Sequence, residues 1–190
     1  MDVLTAILAC SLHPDESLVR AVVHVQSAGH TFFVGDLTAL ESDDSARNAA
    51  GAEQLLDRVR QRGHRAAVGL MGVPVEWAEI YARGTKELWD SCANISVGTA
   101  RLSEFDYECR KGAKKARRAA SSTMSRTCVL RRYAKELGLP AEFIAEVLRR
   151  VAVEKAPARP LAPSGLDNGW ASGFSGAPTP QPFRAAPALK

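Results

Sequence analysis

The chain has 190 residues, a hydrophobic fraction of 46% and a formal net charge of +4. This length suits one domain with a sizeable core, and the apolar content excludes a wholly disordered protein. No apolar stretch is long enough to cross a membrane as a helix, so the sequence predicts no transmembrane segment.

The first ten residues are apolar and predict a short first helix. They contain Asp2 and lack a basic region, so they do not match a secretory signal peptide. The sequence therefore leaves the compartment open. We expect the periplasm or cell envelope if the protein is exported, and the cytoplasm otherwise.

Residues 14–30 carry the pattern of a buried helix. Leu18, Val22, Val25 and Gly29 recur on one helical face. The acidic residues near the start, Asp15 and Glu16, suit the positive end of a helix dipole. Alternating valines in the same stretch also allow a strand, because valine favours extended backbone. The helical interpretation places Gln26 and Ser27 at the carboxyl end of the helix.

The next segment divides into two halves. The apolar half of residues 31–44 predicts a short strand or a packed loop, and the acidic, serine-rich residues 41–45 predict the start of a helix. The second helix covers residues 46–62, and Gly63 is placed to end it. Its apolar stripe consists of Ala49, Ala52, Leu55, Leu56 and Val59.

Two further helical segments follow. Trp77, Ile80 and Tyr81 have the spacing of a short amphipathic turn. A third helix is predicted from residue 88 onward, with Asp90 as its N-cap.

Residues 110–132 are strongly basic and contain no acidic residue. The run consists of Arg110, Lys111, Lys114, Lys115, Arg117, Arg118, Arg126, Arg131 and Arg132. Such a run can contact DNA phosphates or another anionic polymer. No aromatic residue that could stack on bases lies within it, and charge runs are commonly solvated helix faces. We therefore do not expect nucleic acid as the main partner.

A last amphipathic helix is predicted over residues 140–154, and the composition then changes to Pro, Ala, Gly and Ser. This tail cannot bury enough apolar area to offset the entropy lost on ordering. The sequence thus predicts a domain over residues 1–154 and a disordered tail over residues 155–190.

The four cysteines are Cys10, Cys92, Cys109 and Cys128. They allow three complete pairings, and four buried thiols in a reducing compartment are the alternative. No Cys-x-x-Cys pair is present and the four histidines are scattered, so we expect no metal site. Nothing in the sequence calls for a cofactor.

Several motifs resemble those of the soluble lytic transglycosylases, above all the branch that serves type IV secretion and conjugation. The family's first active-site helix ends in Glu-Ser-Gly, and Gln26, Ser27 and Ala28 stand at those positions. Val68-Gly69-Leu70-Met71 matches the family's Val-Gly-Leu-Met, but Gly72-Val73-Pro74 replaces its Gln-Ile-Asn. Matches in the third helix are Asp90, Cys92, Asn94, Gly98, Ala100 and Leu102. The resemblance covers residues 10–151.

The resemblance implies a mainly α, lysozyme-like domain of the goose-type with a short hairpin. In that family the glutamate at the position of Gln26 is the catalytic acid and base. Ser27 follows it, and a tyrosine matched by Tyr133 positions it. The residue after this tyrosine is Ala134, where the family has asparagine. Met71, Gly72, Val73 and Tyr133 would then line the substrate groove. The implied disulfides are Cys10 with Cys92 and Cys109 with Cys128.

The sequence is thus interpreted as a degenerate lytic transglycosylase-like protein. It would bind peptidoglycan strands or a secretion-system protein without cleaving glycan, because glutamine cannot donate a proton near neutral pH. One alternative is an active transglycosylase that uses a substitute acid, for which Glu41 is the nearest candidate in sequence. A second alternative is a basic helical module that binds nucleic acid.

Overall fold

Helices make up most of the fold. The computed structural model describes residues 2–39, 41–43, 45–81, 83–115 and 122–155. These residues form seven α-helices, one short 3-10 helix and four short strands. The protein is therefore mainly α, as its sequence pattern predicts.

The elements follow one another in this order along the chain. The helices are α1 (Val3–Cys10), α2 (Glu16–Ser27), α3 (Ala49–Gln61), α4 (Val75–Ile80), α5 (Ser91–Lys115), α6 (Ser122–Leu137) and α7 (Ala141–Lys155). The strands are β1 (Val34–Asp36), β2 (Glu41–Asp43), β3 (Ala66–Val68) and β4 (Val73–Pro74). The 3-10 helix, Thr85–Trp89, lies between α4 and α5.

Helix α2 forms because its start is capped and its apolar face is buried. The Leu18 backbone N–H donates to the Asp15 carboxylate at 3.3 Å, which satisfies an amide that has no partner inside the helix. Leu18, Val19 and Val22 are almost completely buried. The strand interpretation of the alternating valines is therefore wrong. Helix α2 packs mainly against α7.

Helix α5 is the longest element, with 25 residues, and packs against α1 and α6. Asp90 caps it as predicted, since its carboxylate accepts the Ala93 backbone N–H at 2.8 Å. Two disulfides fix the helix to its neighbours. One joins Cys10 to Cys92 and the other joins Cys109 to Cys128. These are the pairs that the resemblance implies.

The four strands form a small antiparallel sheet in the order β2-β1-β3-β4. Val34 lies opposite Asp43 on one side and Val68 on the other. The predicted helix start at residues 41–45 is wrong, because residues 41–43 pair with β1 instead. Ladder hydrogen bonds to β1 override the local helix-start signal of these residues.

Helix α3 consequently begins later than predicted, at Ala49. Its N-cap is Asn48, whose side-chain oxygen accepts the Gly51 backbone N–H at 2.9 Å. Four of its side chains face the core, namely Ala52, Leu55, Leu56 and Val59. The apolar stripe read from the sequence is therefore the buried face, apart from Ala49 at the first turn.

The centre of the core is aromatic. The Tyr133 side chain is fully buried, with the Trp77 ring edge-on at 5.8 Å and the Phe143 ring stacked at 6.1 Å. These rings join α4, α6 and α7 in one cluster. Ile80, grouped with Trp77 by its spacing, is instead 63% exposed because α4 is a short surface helix.

The described residues belong to one compact unit, Met1–Pro157. The tail predicted over residues 155–190 lies outside the described residues from residue 156 onward. No helix in the described ranges is long and apolar enough to cross a membrane.

Candidate functional site

Gln26 lies in the last turn of α2, next to the point where the helix ends. Ala28 ends the helix in the left-handed conformation, with φ of 52°. Its backbone N–H donates to the His24 carbonyl oxygen at 3.0 Å. Glycine is the usual residue in this conformation because it has no Cβ. Here glycine comes one position later, so an alanine carries the strained turn.

Ser27 connects the end of α2 to the turn between β3 and β4. Its hydroxyl oxygen lies 2.8 Å from the Leu70 carbonyl oxygen and 3.0 Å from that of Val23. The same oxygen accepts the Gly29 backbone N–H at 3.2 Å. The Ser27 side chain is buried. Its contacts stabilise the junction between α2 and the turn, and the hydroxyl is not exposed as a nucleophile would be.

Asn94 holds the other side of the same turn. Its side-chain nitrogen donates to the carbonyl oxygens of Val68 at 2.9 Å and Leu88 at 3.1 Å. Its side-chain oxygen accepts the Met71 backbone N–H at 2.8 Å. The amide is 99% buried, and three of its hydrogen-bonding positions are used. The turn is therefore fixed from both α2 and α5.

Two glycines allow the turn to approach these helices. Gly69 has φ of 74°, and a Cβ on it would lie 2.1 Å from the Asn94 side-chain nitrogen. Gly72 has φ of 55°, and a Cβ on it would lie 2.9 Å from Gln26 Nε2. A side chain at position 72 would therefore occupy the space that the Gln26 amide now fills.

Gln26, Gly72 and Tyr133 form one cluster in the structure. The Tyr133 hydroxyl donates to the Met71 carbonyl oxygen at 2.6 Å. Burial raises the pKa of Tyr133, and the neighbouring Gln26 amide has a smaller opposite effect. Gln26 Nε2 is buried and makes no close hydrogen bond among the described residues, although the amide lies near enough to the Tyr133 hydroxyl to lower its pKa. The cluster is uncharged and holds no group that exchanges a proton near neutral pH.

A cavity of about 410 Å³ opens beside this cluster. Helix α2, strands β1 and β3, and the start of α7 form its walls. The lining residues are Val25, Gln26, Phe33, Gly35, Asp36, Leu37, Ala67, Leu139, Pro140, Glu142, Phe143 and Glu146. Most of these residues are apolar, and three carry carboxylates.

Asp36 is a buried carboxylate that is already satisfied. It accepts the backbone N–H groups of Thr38 and Ala39, each at 2.9 Å, and lies 2.7 Å from His64 Nδ1. Burial raises the pKa of Asp36, but the hydrogen bonds from Ala39, His64 and Thr38 together outweigh it and lower the pKa. The group therefore stays ionised and is a poor proton donor.

The other two carboxylates lie on α7. Glu146 contacts Arg149 at 2.6 Å and Arg150 at 2.9 Å, and Arg149 first among its partners lowers the pKa of Glu146 to about 2. Glu142 lies in the first turn of α7 and is exposed. It has no ion-pair partner within the described part of the chain. Glu142 is thus the unpaired carboxylate of this set.

Four residues are assigned to the substrate groove, namely Met71, Gly72, Val73 and Tyr133. Gly72 lies against Gln26, the residue at the catalytic position, beside the cavity. The Tyr133 side chain is fully buried. Met71 and Val73 are fully buried, and Met71 packs against Gly98, where an added Cβ would approach within 2.8 Å. Their side chains are part of the core. The backbone of Glu41, the candidate substitute acid, pairs with Asp36 in the sheet.

Several cavity residues were not recognised from the sequence. Phe33 comes from one segment, while Leu139, Glu142 and Phe143 come from a second one, and the four residues share no motif. Only the fold brings them together. Asn94 fits the family pattern, but one sequence does not reveal that its side chain hydrogen-bonds to the turn between β3 and β4.

The basic run of residues 110–132 is partly neutralised. Arg126 lies 2.6 Å from Asp15, and Arg110 lies 2.7 Å from Asp106. Arg132 forms an ion pair with Glu108. These acidic partners all come before residue 110 in the sequence, so the run itself contains no acidic residue. These ion pairs reduce the positive field that would attract nucleic acid.

Within the described residues no three His, Cys, Asp or Glu side chains are grouped so that they could hold a metal ion. The candidate site is therefore the Gln26 cluster together with the cavity beside it. Comparison of the whole chain with family models, curated proteins and solved structures finds no match.

Proposed function

We propose that this protein is a lysozyme-like relative of the lytic transglycosylases that binds its ligand without cleaving glycan. The observation that carries the proposal is the amide of Gln26 at the end of α2, packed against Gly72 and beside Tyr133. In the family that the sequence resembles, a glutamate at this position performs the chemistry.

The chemistry explains why the amide matters. Lytic cleavage needs one carboxyl group that protonates the glycosidic oxygen and then accepts a proton as the C6 hydroxyl closes the anhydro ring. An amide keeps the shape of the side chain but cannot exchange a proton near neutral pH. Losing a positioned general acid costs roughly 100- to 10,000-fold in rate.

The surroundings of Gln26 also differ from a saccharide-cleaving site. Gly72, Val73 and Pro74 replace two amide side chains that would contact sugar in the family. Val73 is fully buried, and the space beside Gly72 is filled by Gln26. Changes at several positions of one site indicate natural loss of activity rather than a single trapping substitution.

The two disulfides favour an exported protein, because disulfides persist in oxidising compartments. The proposed setting is the periplasm or cell envelope. The proposed ligand is a peptidoglycan strand or a protein of a type IV secretion system.

The test is incubation of the purified protein with peptidoglycan sacculi, followed by mass spectrometry of released muropeptides. The variant Gln26→Glu and an active lytic transglycosylase are run beside it. We expect no anhydro-muropeptides from the wild type. We also expect no family-like rate from Gln26→Glu, because the amide contacts at positions 72–74 remain missing, and a misplacement of about 1 Å can cost on the order of 100-fold. Release by the wild type would overturn the proposal and direct attention to Glu41.

A further inference from the structure

We propose that the cavity beside Gln26 receives an apolar side chain of a partner polypeptide, with a Lys or Arg next to it in the partner's sequence. This inference rests on the proposed non-cleaving function and names the class of ligand. Of the two ligands proposed above, the inference favours a protein partner over a glycan strand.

The lining of the cavity argues against sugar. Val25, Phe33, Leu37, Leu139 and Phe143 present hydrocarbon and aromatic surface. A saccharide placed there would bury hydroxyl groups that find few partners, and burying an unpaired polar group is unfavourable. An apolar side chain gains from the same surface. The volume of about 410 Å³ lies within the usual range of ligand cavities.

The carboxylates that line the cavity indicate which residue lies next to the apolar one in the partner's sequence. Asp36 is buried and bonded to His64, and Glu146 is bonded to Arg149 and Arg150. Glu142 alone among the three lining carboxylates has no described ion-pair partner. It is exposed at the start of α7, so a cation that enters with the apolar group can reach it.

The apolar lining and the unpaired carboxylate therefore point to one kind of ligand, an apolar side chain with a neighbouring cation.

The test is a titration of the full chain with blocked dipeptides, followed by ¹H–¹⁵N correlation spectra. The probes are N-acetyl-Phe-Lys-amide, N-acetyl-Phe-Glu-amide, N-acetyl-Ser-Lys-amide and chitotetraose. We expect shifts at the cavity residues, and about fivefold tighter binding of the Phe-Lys probe than of either other dipeptide.

Three variants sharpen the result. Glu142→Gln should reduce the preference for Phe-Lys over Phe-Glu to less than about twofold while Phe-dependent binding remains. Glu79→Gln removes an exposed carboxylate on α4, away from the cavity lining, and should leave the preference unchanged. Ala67→Leu fills part of the cavity and should weaken all dipeptide binding, with thermal unfolding used to check the fold.

Three outcomes would overturn the inference. They are equal binding of the three dipeptides, absence of shifts at the cavity residues, and displacement of the Phe-Lys probe by chitotetraose. None depends on muropeptide release. Cleavage of glycan by this protein would contradict the proposed function, whereas a failed titration would contradict only the assigned ligand class.

Discussion

The side-chain amide of Gln26 fills the space that a side chain on Gly72 would need. The gap between Gln26 Nε2 and a Cβ built on Gly72 would be 2.9 Å, which is shorter than an ordinary contact. The two positions are therefore coupled, although they lie 46 positions apart in sequence. A side chain introduced at position 72 would therefore require the Gln26 side chain to move.

We expect Gly72→Ala to lower the free energy of unfolding by about 2 kcal/mol. The positive φ of Gly72 strains any side chain, and the new Cβ meets the Gln26 amide. Adding Gln26→Ala should recover about 1 kcal/mol in a double-mutant cycle measured by urea unfolding. Gly63→Ala is the control, since it also has positive φ but no atom within 4 Å. Additive costs at positions 26 and 72 would contradict the coupling.

Ala28→Gly should stabilise the protein by about 0.5–1 kcal/mol. Ala28 carries the left-handed turn that ends α2, and glycine adopts this conformation without a Cβ penalty. Part of the gain is lost because glycine has more freedom in the unfolded chain. The control, Ala145→Gly in the middle of α7, should instead destabilise by about 1 kcal/mol. A lower midpoint for Ala28→Gly in chemical denaturation would contradict this expectation.

Asn94→Asp should destabilise by about 3 kcal/mol or more at neutral pH. The substitution places a carboxylate oxygen opposite the carbonyl oxygens of Val68 and Leu88, where a donor now lies. The new carboxyl would have a raised folded pKa, so stability should be lost as pH rises through the acidic range. Asn48→Asp is the control, because aspartate caps a helix as well as asparagine does. Unfolding curves at several pH values measure both effects.

His13 should make stability depend on pH just below neutrality. Burial lowers the pKa of His13 below its usual 6.5, against the opposite effects of Asp106 and Asp15. The unfolded chain then binds the proton more readily than the folded one, so stability falls as pH drops from 6.5 toward the lowered folded pKa. The loss is about 1.4 kcal/mol for each unit of lowering.

The variant His13→Gln should remove this dependence, and His30→Gln, at an exposed position, should keep it. The measurement is the unfolding free energy at closely spaced pH values between about 5 and 7. An unchanged slope in His13→Gln would assign the effect to another group.

The two disulfides should differ in their contribution to stability. The Cys10–Cys92 bridge spans 82 positions and the Cys109–Cys128 bridge spans 19. The chain-entropy model gives costs of about 4.5 and about 3.2 kcal/mol for replacing each pair by serine. Thermal and chemical unfolding of the two double variants measures the difference. A larger cost for the Cys109–Cys128 pair would show that entropy is not the deciding factor.

The sequence predicted the helices better than the sheet, for a physical reason. An amphipathic helix such as α3 repeats its apolar face over several turns, which gives a periodic signal. Strands of two or three residues, such as β3 and β4, are too short to show alternation. They exist because distant segments pair, as Val34 does with Val68. Pairing of the same kind turned the acidic residues 41–43 into a strand.

The candidate site was predictable only in part. The resemblance named Gln26, Gly72 and Tyr133, and these three lie together in the structure. The cavity beside them was not foreseen, because Phe33 and Phe143 lie more than 100 residues apart and neither belongs to a motif. Its apolar character depends on how α7 packs against α2, which no local pattern encodes.

The disulfides also determine how the domain would carry a mechanical load. Tension applied to the chain outside Cys10 and Cys128 passes through one bridge to Cys92, along α5 to Cys109, and through the other bridge. The bridges shield about 100 residues, or roughly 350 Å of extended chain at about 3.5 Å per residue. Between the two bridges, tension acts on α5 alone. The sheet, Gln26 and Gly72 therefore lie within a shielded loop, whereas Asn94 lies on the loaded part of α5 and Tyr133 lies beyond Cys128 on the loaded chain.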